Sequence, residues 1–307
     1  MLFRSDAVPI TYGQVFAGYA DALAGGAEAL RLTCRELQVI GLGGTAVGTG
    51  ITAHPRFAVA VARELSRVVG VRLTPAPNRV TTTWSLRPLL ACSGALRGIS
   101  VDVIKICVDL RLLTSGPQTG FAEIVLPDVE PGSSIMPGKV NPSVPEAVQM
   151  ACYAVLGGDH AVALAAASGE LELNVMTPLV GLALGDSFDL LTRALALLRT
   201  RCVDGLRVDR ARTAALVAGS VIEATALSPV LGYDVTAEIV KEALARGEPL
   251  RAVVLRHRLL DEAALARLLA PLALTGPRVV DPDLVRRVQR GPAYLAFRAR
   301  LTATKAL

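Results

Sequence analysis

From Asp6 onward the chain reads as helix. Tyr12, Val15, Phe16 and Tyr19 fall at helical spacing, and apolar residues keep returning every three or four positions, which predicts one helix from about Thr11 to Ile40. Gly41 to His54 is glycine-rich and reads as a connection. Pro55 suits a helix start and Gly70 a stop, so a helix is expected through Val69. A longer one is expected from about Thr81 to Leu113, including "SVDVIKICVDLRLL". The pattern then breaks into a Pro- and Gly-rich loop, "TSGPQTGFAEIVLPDVEPGSSIMPGKVNPSVPE", and loops this long inside a helical protein are usually functional. Helices resume after Pro145 to about Ser168, and again from about Asn174 to Cys202. From Asp209 the segments shorten. No run alternates convincingly in the manner of a strand, so the predicted class is all-α: a long central helical bundle over residues 6–206, with the loop at 115–145, a small C-terminal helical domain over 207–273, and a tail with one helix over 274–307.

Composition changes this picture little. The chain has 307 residues, 52% of them hydrophobic, and a mean hydropathy of +0.47. The longest uncharged stretch, Leu37 to His54, is broken by five glycines and carries Thr45, Thr49 and Thr52, a poor lipid-facing helix. Nothing resembles a signal peptide. The apolar excess therefore suits helices buried on several faces, and no membrane partner is expected. Net charge is +5, but the lysines are only Lys105, Lys139, Lys241 and Lys305, and the arginines are scattered among acidic residues. That is not the footprint of a nucleic-acid binder. The five cysteines are widely spaced and include no CxxC pair, which points to free thiols in a reducing cytoplasm, with no metal or redox motif.

Two features imitate known sites and fail on context. "IGLGGTAVG" (Ile40 to Gly48) has dinucleotide-fingerprint glycines, but a helix is expected before it and a loop after it, so it reads as a structural turn. None of His54, His160 and His257 sits with a carboxylate or a second histidine at ligand spacing, which predicts no metal site. The long loop is different. "GSSIMPGKVNP" (Gly132 to Pro142) gathers two hydroxyls, a lone lysine and an asparagine between flexible glycines and stiffening prolines. Lys139 offers charge, Asn141 an amide, and the backbone near the serines an anion nest. By chemistry alone this is an anion-binding loop with a candidate serine base or nucleophile, or else a structural lid.

That string resembles, residue for residue, the signature of the fumarase/aspartase superfamily. The form with Gly138, Val140 and Asn141 is most like the aspartate ammonia-lyase and class II fumarase branch, the first favoured. The likeness continues through "DAVPITYGQ", "GGTAVGTG", "KICVDLRLLTSGP", "ELELNVMTPLVG" and "ALSPVLGYD", from about Asp6 to Ala270. The resemblance implies anti-elimination of ammonia from L-aspartate to give fumarate, with no cofactor, on a small dicarboxylate substrate. It implies Ser133 as the base that takes the C3 proton, Ser134 as a hydrogen-bond donor beside it, and Lys139 and Asn141 holding the substrate carboxylate. Glu146 would pair with a histidine from another subunit. A homotetramer with composite active sites is implied for the full-length protein. The alternatives are a class II fumarate hydratase and, outside catalysis, a helical scaffold.

The first five residues do not share the helical logic of the rest. In the family, the stretch before "DAVP" reads Gly-Arg-Thr-His-x-x, which sets the Thr and His positions on Leu2 and Phe3. The expectation is therefore an N-terminally truncated chain, lacking the N-terminal domain and inactive alone. Met-Leu-Phe-Arg-Ser is also what the end of a common sequencing adapter encodes, so the genuine sequence is expected to start at Asp6; a true truncation or a split gene is the alternative.

Overall fold

The structure is a computed structural model that describes residues 6–305. The expectation placed on Leu2 and Phe3 lies outside the described residues. The chain divides into two compact units: Ala17–Val208, and Asp209–Leu307 together with the residues up to Phe16.

The larger unit is built on helices α1 (Tyr12–Leu37), α2 (Phe57–Val69), α3 (Thr81–Trp84), α4 (Arg87–Leu113), α5 (Ser143–Ala167) and α6 (Thr177–Leu198). Its core is the α4–α5–α6 layer, with α5 in the middle. The buried positions of α5 include Val148, Cys152, Val155, Asp159 and Val162, and those of α6 are Val180, Leu184, Ser187, Leu191, Ala194 and Leu198. Steps of three and four residues keep such side chains on one seam as the helices run past each other, the spacing of bundle packing. The α4–α5 pair runs antiparallel, because Ser93 and Arg97 reach Asp159 whereas Arg111 reaches Gln149. α5 is long and apolar enough to cross a membrane by length and composition. Here it is the middle helix of the layer and carries the buried Asp159, bonded by Ser93 Oγ at 2.7 Å and Arg97 Nη1 at 2.8 Å.

Two predicted helices are divided differently from the sequence expectation. The predicted Thr81–Leu113 helix is two, broken where Ser85 turns extended and Pro88, which has no N–H to donate, takes a place in the first turn of α4. The predicted Asn174–Cys202 helix ends at Leu198 and continues as one π-helical turn, Arg199–Val203. Two strand pairs also occur: β1 (Val39–Ile40) runs parallel to β2 (Thr74–Pro75), and β3 (Ile124–Val125) runs antiparallel to β4 (Arg207–Val208). Strands of two residues are too short to show alternation, so sequence pattern could not reveal them.

The smaller unit packs short helices around its own core: α7 (Arg210–Ala218), α8 (Ala224–Leu231), α9 (Tyr233–Arg246), α10 (Leu250–Arg256), α11 (Glu262–Leu268), α12 (Pro271–Leu274), α13 (Pro282–Gln289) and α14 (Pro292–Lys305). Among the described residues after Leu274 there are two helices, α13 and α14, where the sequence reading expects one. Leu284, Tyr294 and Phe297 from them are buried with Leu227, Leu231, Ile239 and Leu265. The Tyr294 hydroxyl donates to the Leu231 carbonyl at 2.9 Å, and Arg278 bonds the carbonyls of Leu268 and Ala226.

Candidate functional site

The long loop leaves the end of α4 at Thr114 and returns at the start of α5. Its entry is tied by Glu123 N–H to Leu113 carbonyl at 2.9 Å and by Ala122 N–H to Ser115 carbonyl at 2.8 Å. Its far half is a closed ring. Gly132 N–H donates to the Lys139 carbonyl at 2.8 Å, and Asn141 Nδ2 donates to the Gly132 carbonyl at 2.9 Å. Only glycine fits at 132, since a Cβ there would lie 2.6 Å from the Lys139 oxygen and 2.9 Å from the Asn141 nitrogen. Gly138 turns the ring with φ of 79°.

This closure brings Ser133, Ser134, Lys139 and Asn141 onto one small ring. The Ser133 side chain is the best defined. Its Oγ accepts N–H bonds from Ile135 at 3.2 Å and Met136 at 3.1 Å, and the residue is half-buried. Two N–H dipoles aimed at one oxygen favour negative charge on it. Ser134 and Lys139 are exposed, and Lys139 has no ion pair among the described residues. Asn141 is half-buried, with its amide turned to the ring.

Glu146 stands apart from the ring, in the first turn of α5. Its Oε1 lies 3.4 Å from Arg111 Nη2 on α4. Arg111 also donates through Nη1 to Gln149 Oε1 at 2.7 Å, and Gln149 is almost fully buried. The sequence reading passed over Arg111, because a basic residue in the last turn of a helix is commonplace. Its partners are 35 and 38 positions away, beyond the reach of any spacing rule.

Neither of two sizeable hollows in this unit includes the ring. One, of about 610 Å³, runs between α5 and α6 past Gly158, Leu182 and Ser187; the other, of about 690 Å³, lies by Pro127, Val144 and Arg201. Within this unit Ser134 and Lys139 are exposed, whereas Ser133 and Asn141 are half-buried.

The glycine stretch at 41–48 needs one amendment. A short strand, β1, does precede the glycines at 41–48, where a helix was expected; the next helix in the chain begins only at Phe57, so the glycines do not open directly into a helix. Gly43 and Gly48 have φ of 90° and 88°, and a Cβ on Gly48 would sit 2.3 Å from Val80 Cα. The glycines allow close backbone approach and make a structural turn. His257 meets Glu242 at 2.7 Å and the edge of Phe297, and it lies in the smaller unit. Among the described residues no three His, Cys, Asp or Glu side chains converge as metal ligands.

The chain belongs to the fumarase/aspartase superfamily: the lyase family model matches residues 3–157, and a fumarase C C-terminus model matches 224–276. Among its relatives, the aspartate ammonia-lyase of Pseudomonas aeruginosa is 44% identical over 276 residues, covering 90% of this chain and 58% of that protein. A class II fumarate hydratase of Chromobacterium violaceum is 44% identical over 250 residues, covering 81% and 54%. In three dimensions, a cobalt-bound fumarate lyase:delta crystallin from Brucella melitensis superimposes with a TM-score of 0.85 at 44% identity, over 90% of this chain and 60% of that one. A class II fumarase from Schistosoma mansoni gives the same score at 31% identity, over the same shares. The chain thus spans 58% of the length of the aspartate ammonia-lyase it matches.

Proposed function

We propose that the complete protein removes ammonia from L-aspartate by anti-elimination, giving fumarate. Ser133 Oγ, as alkoxide, takes the C3 proton. The C–H electron pair enters the adjacent carboxylate as an aci-carboxylate, which Lys139 and Asn141 hold, with Ser134 donating alongside. The pair then returns to form the double bond as the C–N bond breaks and ammonia leaves. Glu146 faces a histidine of another copy, in a cytoplasmic homotetramer that uses no cofactor. Charge develops on the carboxylate during this reaction, so a fixed cation there stabilises the transition state more than the ground state.

The observation that carries this reading is the Ser133 oxygen, which accepts two backbone N–H bonds on the same ring that carries Lys139 and Asn141. Those bonds favour the charged form that a base requires. The exposure of Ser134 and Lys139 within this unit supports a site whose remaining walls come from other segments or copies.

A second reading, class II fumarate hydratase, draws on "APN" at 76–78, "LGYD" at 231–234 and the equal identity of a fumarase relative. The test is the ultraviolet absorbance of fumarate, followed with the complete reading frame on L-aspartate and, separately, on L-malate. Rise on aspartate that vanishes in Ser133→Ala is expected. Rise on malate alone selects the second reading, and no rise on either substrate leaves the helical scaffold as the function.

A further inference from the structure

Arg111 stands at the neck of the signature loop. It lies in the last turn of α4, just before the loop departs at Thr114, and both of its partners lie in the first two turns of α5, just after the loop returns. Nη1 donates to Gln149 Oε1 at 2.7 Å and Nη2 faces Glu146 Oε1 at 3.4 Å. Gln149 is 3% exposed and its own Nε2 faces the Tyr153 hydroxyl at 3.4 Å, so the far side of the clasp is anchored inside the bundle. The start of α5 has no side-chain cap of its own, since its N-cap is Pro142. A planar guanidinium can hold two acceptors one helical turn apart, whereas an ammonium is a single point charge.

We propose that Arg111 is a positioning residue of the reaction, acting through Glu146. It clasps the two ends of the loop together, aims the Glu146 carboxylate, and fixes the α5 end from which Asn141 and the ring are suspended. This inference rests on the lyase reading above for its catalytic half; its structural half stands without it.

Two measurements on Arg111→Lys in the complete protein test it. The first is amide hydrogen exchange, which needs no turnover. Exchange over residues 139–149 is expected to quicken by about tenfold, with the middle of α4 unchanged, because local opening at the neck becomes easier. Unaltered protection at the neck overturns the proposal. The second is a double-mutant cycle with Glu146→Gln, read as kcat and KM. Arg111→Lys alone is expected to lower kcat by about tenfold with KM changed less than about twofold, and to cost nothing further in the Glu146→Gln background. Losses that multiply instead would mean that Arg111 does not act through Glu146, and would overturn the catalytic half. A wild type inert on both substrates would sink the lyase reading, while hydrogen exchange would still decide the clasp.

Discussion

At the scale of single residues, the ring from Gly132 to Asn141 is held by very few bonds, so each has a separate consequence. Ser133→Ala removes the oxygen that two N–H groups address, and turnover should fall by about a thousandfold, within the range for losing a general base. Gly132→Ala should open the ring, since its Cβ would strike the Lys139 carbonyl. Activity is then expected to drop more than thermal stability, because the ring is a surface feature. The opposite result is expected at Gly48, where backbone crowds the Cβ and φ is positive. Gly48→Ala should cost about 2 kcal/mol in urea unfolding. The ring was legible in the sequence as a candidate site, because its residues are contiguous and each type has few uses. Arg111 was not, because its significance comes only from what α5 sets beside it.

Among the secondary-structure elements, the α4–α5 pairing shows what pattern alone conceals. Asp159 looks like a stray charge in an apolar helix, yet it is 5% exposed and bonded by Ser93 and Arg97. Ser93→Ala should destabilise the bundle by about 1.5 kcal/mol, since a buried carboxylate then loses one of its donors. The thiols of the same layer behave alike. Burial pushes Cys107 up to about 12, and Cys152 and Cys202 up to about 11, from an ordinary value of 9.0. These groups stay protonated in the folded state at pH values where the unfolded chain has ionised them. Their contribution to stability is therefore complete below about pH 9 and is lost as pH rises toward 11–12. The urea midpoint should fall steadily between pH 9 and 11. At neutral pH a thiol reagent should titrate one cysteine, the exposed Cys34, in the native protein, and all five once it is unfolded.

For the molecule as a whole, the larger unit leaves apolar side chains outside. Met150 and Tyr153 of α5, Leu179 and Leu182 of α6, and Val101 and Val108 of α4 are all exposed, and no residue of α1 is fully buried. Uncovered faces of that extent cause association. The isolated chain is expected to aggregate in light scattering; a monodisperse tetramer would show instead that these residues suffice to cover one another.

The sequence by itself determined the class of the molecule: period-3.6 patterning gave most helices, and the contiguous signature loop gave the family and the candidate chemistry. Helix formation and loop chemistry are local, so a linear string records them. Tertiary structure alone decided the rest. It broke the 81–113 helix at Ser85, added the two-residue strand pairs, gave the last thirty or so residues two helices in a shared core, and joined Arg111 to Glu146 and Gln149. Each of these depends on groups that meet only after the chain has folded back on itself, and separation along the sequence carries no trace of such a meeting.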